Sequence, residues 1–157
     1  MRMKQYLIDT FQYNDYANKL ALNKIKELPE KDECIRFFSH LINSMNKWLA
    51  RINQAPGYAE LDWWLPVYEL EQLEAKWEEC LKGWIDYLVG KTDEELDSEV
   101  DFIGYDSTMF AAKISDIALQ LNYHSIHHRA QIQYLIRQQG IEPDFVDYIG
   151  TKYRKLS

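Results

Sequence analysis

The chain has 157 residues, of which 46% are hydrophobic and 14% aromatic, with only six Gly and four Pro. This supports a sizeable core, argues against a disordered chain, and predicts one compact domain over residues 1–157. The formal net charge of −7 argues against nucleic-acid backbones and anionic membrane surfaces, which leaves small molecules and other subunits as partners.

Residues 3–27 read as a helix, with Leu7, Phe11, Asn14, Asn18, Ala21 and Ile25 recurring at helical spacing. Two asparagines in an apolar stripe need hydrogen-bond partners if they are buried; otherwise the stripe is half buried there. Residues 30–54 form a second helical pattern through Cys34, Phe37, Phe38, Leu41, Met45, Trp48 and Ile52. His40 lies at its margin, beside Phe37 and Ser44. Residues 55–66 read as a loop, marked by Pro56-Gly57 and Pro66. It carries Tyr58, Trp63 and Trp64, aromatics that either pack on the helices or close a pocket.

A third helix is predicted over 67–89, with Leu70, Leu73, Trp77, Cys80, Leu81, Trp84 and Leu88 on its buried face and Gly90 at its end. Thr92 and Glu95 have the form of a capping box, and the acidic run from Asp93 to Asp101 reads as solvated surface. Residues 98–106 suggest a small hairpin, with Val100 and Phe102 alternating with polar residues around Gly104. The fourth helix is expected from Ser107 or Thr108 to Gln139, ended by Gly140 and Pro143. The aromatic tail, with Phe145, Tyr148 and Tyr153, is expected to pack across the helices or against a second subunit. Four amphipathic helices predict an all-α four-helix bundle, with a long loop between helices 2 and 3 and a small hairpin before helix 4.

Cys34 and Cys80 fit no metal or disulfide spacing and read as buried free thiols. No run is apolar enough to span a membrane, and the first residues lack a signal peptide's apolar region. A cytoplasmic setting is the expectation.

Three of the four histidines fall in the stretch from Asn122 to Gln131. At about 100° per residue, His124 and His128 share a face with Ile114, Ile117, Leu121, Ile132 and Leu135, while His127 points to its edge. Imidazoles four residues apart on a helix are close enough to grip one metal ion, although a core pair or a metal-free pocket has the same spacing. Ser125 stands where a zinc protease has its Glu, so that general base is missing. Glu-x-x-His and Cys-x-x-Cys-His are both absent, which removes di-iron carboxylate and haem-attachment readings. If the site takes three histidines, its third ligand is expected to be His40, unless His127 serves.

The segment His124-x-x-x-His128-Arg129-Ala130-Gln131 resembles the His-x-x-x-His-Arg-Gly-Gln segment of the DinB superfamily, the DinB/YfiT-like metalloenzymes. Tyr13-Asn14-Asp15-Tyr16-Ala17-Asn18 resembles that superfamily's Tyr-Asn-x-Trp-Ala-Asn signature. His40 on the second helix, with Trp48 eight residues on, is a third point of similarity. The resemblance covers nearly the whole chain and departs from the pattern mildly, at Ala130 for Gly and Tyr16 for Trp. It implies a four-helix bundle, often dimeric, and one divalent ion held by His40, His124 and His128. All-nitrogen ligation suits zinc or nickel, and also iron or manganese.

The resemblance further implies a metal-dependent enzyme: a thiol-dependent S-transferase that joins a low-molecular-weight thiol, such as bacillithiol or mycothiol, to a small electrophile. A homodimer is the expected assembly. The alternatives are a metal-dependent hydrolase and a non-catalytic bundle that binds a metal or a small molecule. Gln131, Asn14 and Asn18 are candidates to accept the ligands' other N–H groups. Arg129 points off the metal face and is expected to pair with an acidic residue or a bound anion. No general base is identifiable from the sequence.

Overall fold

The structure, a computed structural model, describes residues 2–156. Four long helices form the bundle: α1 (Met3–Glu27), α2 (Asp32–Ile52), α3 (Leu70–Val89) and α5 (Ile114–Gln138). A short α4 (Asp93–Leu96) and a hairpin of β1 (Glu99–Ile103) and β2 (Met109–Lys113) lie between α3 and α5. Both α1 and α2 pack between α3 and α5, so α1 and α2 face each other across the bundle's diagonal. This is an all-α bundle with a short hairpin appended. Among the described residues, no helix is long and apolar enough to cross a membrane.

The apolar stripes meet along the bundle axis. Leu7, Leu22, Ile25, Phe38, Ile42, Leu73, Trp77, Trp84, Leu88, Ile132 and Ile136 are almost wholly withdrawn from solvent. Burying side chains of this size contributes about 1.5–3 kcal/mol each. The two core tryptophans also satisfy their polar ends. Trp84 stacks on Phe11 at 5.4 Å and donates its indole N–H to the Met45 carbonyl at 2.9 Å. Trp77 donates to Asp15 Oδ1 at 2.9 Å. Cys34 and Cys80 are free and buried, and burial pushes the Cys34 thiol up to about 11.

Helix α2 begins at Asp32, two residues after the expected start, and two further helix starts differ more. Helix α3 begins at Leu70 rather than at residue 67, because Glu69 and Gln72 form the capping box that opens it. The chain just before it is extended, with the Tyr68 N–H donating to Ser39 Oγ on α2 at 3.0 Å. Helix α5 begins at Ile114 rather than at Ser107 or Thr108. The hairpin is correspondingly longer than 98–106: Met109–Lys113 pairs antiparallel with β1, in register from Glu99↔Lys113 to Ile103↔Met109. Met-Phe-Ala-Ala-Lys continues a helical pattern in sequence, but pairing with β1 determines its conformation. The expected end at Gly140 holds, with that residue in the left-handed region at φ 78°.

The acidic run has a structural role at Asp93 and Glu95. Thr92 and Glu95 cap α4 reciprocally, and Asp93 Oδ1 accepts the Lys4 N–H at 2.9 Å in the first turn of α1. The hairpin docks on α2 through Phe102, which meets Trp48 edge-on at 5.0 Å. These contacts place the hairpin and the 53–69 loop over one stretch of α2, beside the histidines.

Candidate metal centre

His40 projects from the middle of α2, and His124 and His128 project from successive turns of α5. The packing of α2 against α5 brings the three rings together. His124 Nε2 lies 3.0 Å from His40 Nε2 and 3.0 Å from His128 Nε2. The three candidate ligand atoms all lie within 4.8 Å of one another. His40 and His128 are buried and His124 is half-buried. His127 stays outside: its side chain is exposed, although its ring lies 4.9 Å from that of His128. The third member of the cluster is therefore His40.

The other ring nitrogens settle what the Nε2 atoms are. His40 Nδ1 is 2.7 Å from the Trp63 carbonyl oxygen, which can only accept, so Nδ1 carries the proton. His128 Nδ1 is 2.6 Å from Gln131 Oε1 and donates in the same way. Both Nε2 atoms are then bare lone pairs aimed at His124 Nε2. A single N–H on His124 cannot align with two acceptors at once, whereas a cation between the three nitrogens satisfies all of them. Zinc–nitrogen bonds of about 2.0–2.1 Å put adjacent ligand nitrogens roughly 3.3 Å apart in a tetrahedral site, and the two distances to His124 Nε2, 3.0 Å each, are close to that. The donor set thus fits a divalent ion.

Electrostatics point the same way. Burial lowers the pKa of His124 to about 3, and the neighbouring His128 and His40 push it in the same direction. Burial lowers His128 to about 4, against the opposing pull of its bond to Gln131. Burial also lowers His40. All three rings are neutral at physiological pH, the state in which an imidazole binds a metal.

The loop that follows α2 clamps the first of these rings. Trp64 stacks on His40 with centroids 3.7 Å apart, and Phe37 stacks on His128 at 5.3 Å. The Arg36 guanidinium covers Trp64 at 4.6 Å. Asp62 Oδ1 accepts the N–H groups of Trp64 and Leu65, shaping the turn that presents the Trp63 carbonyl. The loop aromatics both pack on the helices and wall the site. A backbone carbonyl leaves no mark in a sequence; the adjacent tryptophans in a Pro-bounded loop were the available signal.

The remaining candidates divide between two places. Gln131 sits against His128. Asn14 and Asn18 lie away from the histidines, because both amides are taken by Arg129. Arg129 Nη1 donates to Asn14 Oδ1 at 2.9 Å and Asn18 Oδ1 at 2.7 Å, and Nη2 donates to the Tyr13 hydroxyl at 3.2 Å. Asn14 and Asn18 in turn donate to Asn122 Oδ1 at 2.6 Å and Ser125 Oγ at 2.8 Å. Arg129 is buried, and among the described residues no acidic side chain pairs with it. Amide and hydroxyl dipoles from α1 and α5 surround the charge instead. Tyr13, Asn14, Asn18, Asn122, Ser125 and Arg129 thus form one polar seam between the two helices.

A cavity of about 230 Å³ adjoins the cluster, lined by His40, Ser44, Trp48, Trp63, Gln120, Leu121 and His124. It contains no carboxylate.

A helical bundle that brings three neutral imidazoles together beside a small cavity is a scaffold able to coordinate a metal ion. The chain belongs to the DinB family, whose profile matches residues 1–155. No curated protein and no solved structure matches it.

Proposed function

We propose that His40, His124 and His128 hold one divalent ion, zinc or nickel before iron or manganese, and that the site carries out thiol-dependent S-transfer to small electrophiles. The observation behind this reading is the convergence of three imidazole nitrogens, two of them turned inward by bonds at their other nitrogen. Among the described residues the cluster has three members, which leaves coordination positions for a ligand, as in catalytic rather than structural zinc sites. An ion there would supply Lewis acidity, favouring the ionised form of a thiol or of water.

The cavity favours the thiol. Its lining offers no Asp or Glu to act as general base for hydrolysis. A thiol ionises far more readily than water and needs less help. In the proposed transfer, the thiol gives up its proton to solvent. Its sulfur then forms a bond to an electrophilic carbon, whose leaving group departs with the bonding pair. His40, His124 and His128 hold the site, Gln131 and the Trp63 carbonyl orient two of them, and Trp64 and Phe37 shield it from water.

The proposal includes a single domain, a cytoplasmic setting and a homodimer. Exposed Tyr123, Ile126 and Tyr134 on the outer face of α5 support the last of these.

Metal content of tag-free protein, measured by mass spectrometry beside His40→Ala, His124→Ala and His128→Ala, tests the centre. About one ion per chain, lost in each folded variant, is the expected result. No bound metal, and none taken up when zinc, nickel or manganese is offered, would reject it. Thiol consumption with a small electrophile then tests the transfer.

A further inference from the structure

Two buried arginines in this molecule are treated in opposite ways. Arg129 is surrounded by acceptors. Arg51, on α2, is 5% exposed, yet only its Nη2 has a partner, the Ile103 carbonyl at 3.2 Å. Its Nε is buried with no hydrogen-bond partner among the described residues. No carboxylate pairs with it there either. A guanidinium N–H buried without an acceptor carries a desolvation cost, and in Arg51 it falls on Nε.

The surroundings of Arg51 are aromatic. Its guanidinium lies 4.7 Å from the Trp48 ring, 4.9 Å from Trp63 and 5.0 Å from Phe102. These contacts stabilise the charge but accept none of its in-plane hydrogens. Arg51, Trp48, Trp63 and Phe102 also line a cleft of about 320 Å³, closed on the hairpin side by Tyr105 and Phe110. The cleft meets the cavity beside the histidines at Trp48 and Trp63, which line both. The second orphaned polar atom among the described residues, Ser44 Oγ, belongs to the lining of that cavity. Both orphans therefore fall on one side of α2, in the two hollows next to the histidine cluster.

We propose that the cleft is a substrate subsite in which Arg51 grips an oxyanion, a carboxylate or a phosphate, carried on an apolar body. The planar fork of an arginine matches either oxyanion through paired N–H donors. The aromatic walls take the apolar body. Eleven residues separate His40 from Arg51, about 16 Å along a helix axis, so an elongated molecule reaches from one to the other. The link to a reacting end rests on the function proposed above; the anion subsite itself does not.

The test follows the Nε–H resonance of Arg51 in the ¹⁵N-labelled full-length protein as purified, assigned with Arg51→Lys. Three probes of similar shape are titrated: 4-phenylbutyrate, 3-phenylpropyl phosphate and the neutral 4-phenylbutyramide. At least one charged probe is expected to shift the resonance saturably and to bind at least ten-fold more tightly than the amide. Tighter binding of the phosphate assigns the group to a phosphate ester, and tighter binding of the carboxylate to an acid. Arg51→Gln is expected to abolish the preference for charge. Equal affinity for the charged and neutral probes, or an Arg51 resonance unmoved at saturation, would overturn the subsite. The titrations are made on the wild-type chain, where the Arg51 Nε–H is also assignable from its proximity to the Trp48 and Trp63 rings, so they stand even if either Arg51 variant fails to fold. Metal content of the same sample is read separately, so loss of the metal reading leaves this result intact.

Discussion

Trp64 lies flat on His40, with ring planes 8° apart and centroids 3.7 Å apart. One face of that imidazole is thus fixed by a loop rather than by the helix that carries it. Trp64→Ala removes the stacked surface while leaving the Trp63 carbonyl in the chain. We expect metal affinity to fall roughly ten-fold, within the range usual for groups that orient a ligand. Competition with a chromogenic chelator measures it. Unchanged affinity would show that the stack does not orient His40.

Gln131 plays the matching part for His128 from within α5. Gln131→Leu deletes the acceptor at 2.6 Å from Nδ1 and frees the ring to take the other tautomer. Metal affinity should drop by about 10–100-fold. Gln131→Glu should restore or exceed wild-type affinity, because a carboxylate is the stronger acceptor. Isothermal titration with zinc compares the three proteins.

The polar seam around Arg129 should affect stability. Arg129→Ala leaves Asn14, Asn18 and Tyr13 facing a void, and we expect a loss of roughly 3 kcal/mol in urea unfolding. Arg129→Lys should lose much of the same amount, since one ammonium cannot reach both Asn side chains and Tyr13 with the spacing of a guanidinium. The folded fraction should still bind metal, because Arg129 does not touch the three histidines.

Stability without metal should depend on pH through the same histidines. His124 is held at about 3 and His128 at about 4, against an ordinary value of 6.5. Between these values the unfolded chain binds more protons than the folded one. Acid therefore favours unfolding, and stability rises with pH up to about 6.5 before these groups cease to contribute. For the metal-stripped protein, the urea midpoint should fall between pH 7 and pH 5. His124→Gln should show a shallower fall. An equal slope in the variant would assign the acid sensitivity to other groups.

The sequence was most informative where chemistry repeats along one helix. The His124 and His128 spacing placed both rings on the inward face, and the stripe of α1 gave the limits Met3–Glu27. Local pattern was least informative where a partner distant in sequence decides the outcome. Met109–Lys113 continues a helical pattern and becomes a strand because β1 lies beside it. Asn14 and Asn18 stand out in sequence as amides in an apolar stripe, but what decides their burial, the partner Arg129, is more than a hundred residues away. Arg51 carries no signal in sequence, because a lone arginine near a helix end is ordinary; a buried Nε without an acceptor is what sets it apart.

A helix packed only through aliphatic side chains can roll about its own axis at little cost. Arg129 removes that freedom from α5, since its hydrogen bonds to two successive turns of α1 fix the rotational phase of the whole helix. His128 is the adjacent residue, about 100° around the same cylinder. The asparagines near the start of the chain therefore aim the imidazoles near its end. The two sequence signatures, far apart in the chain and without a direct contact between amide and imidazole, work as parts of one alignment device.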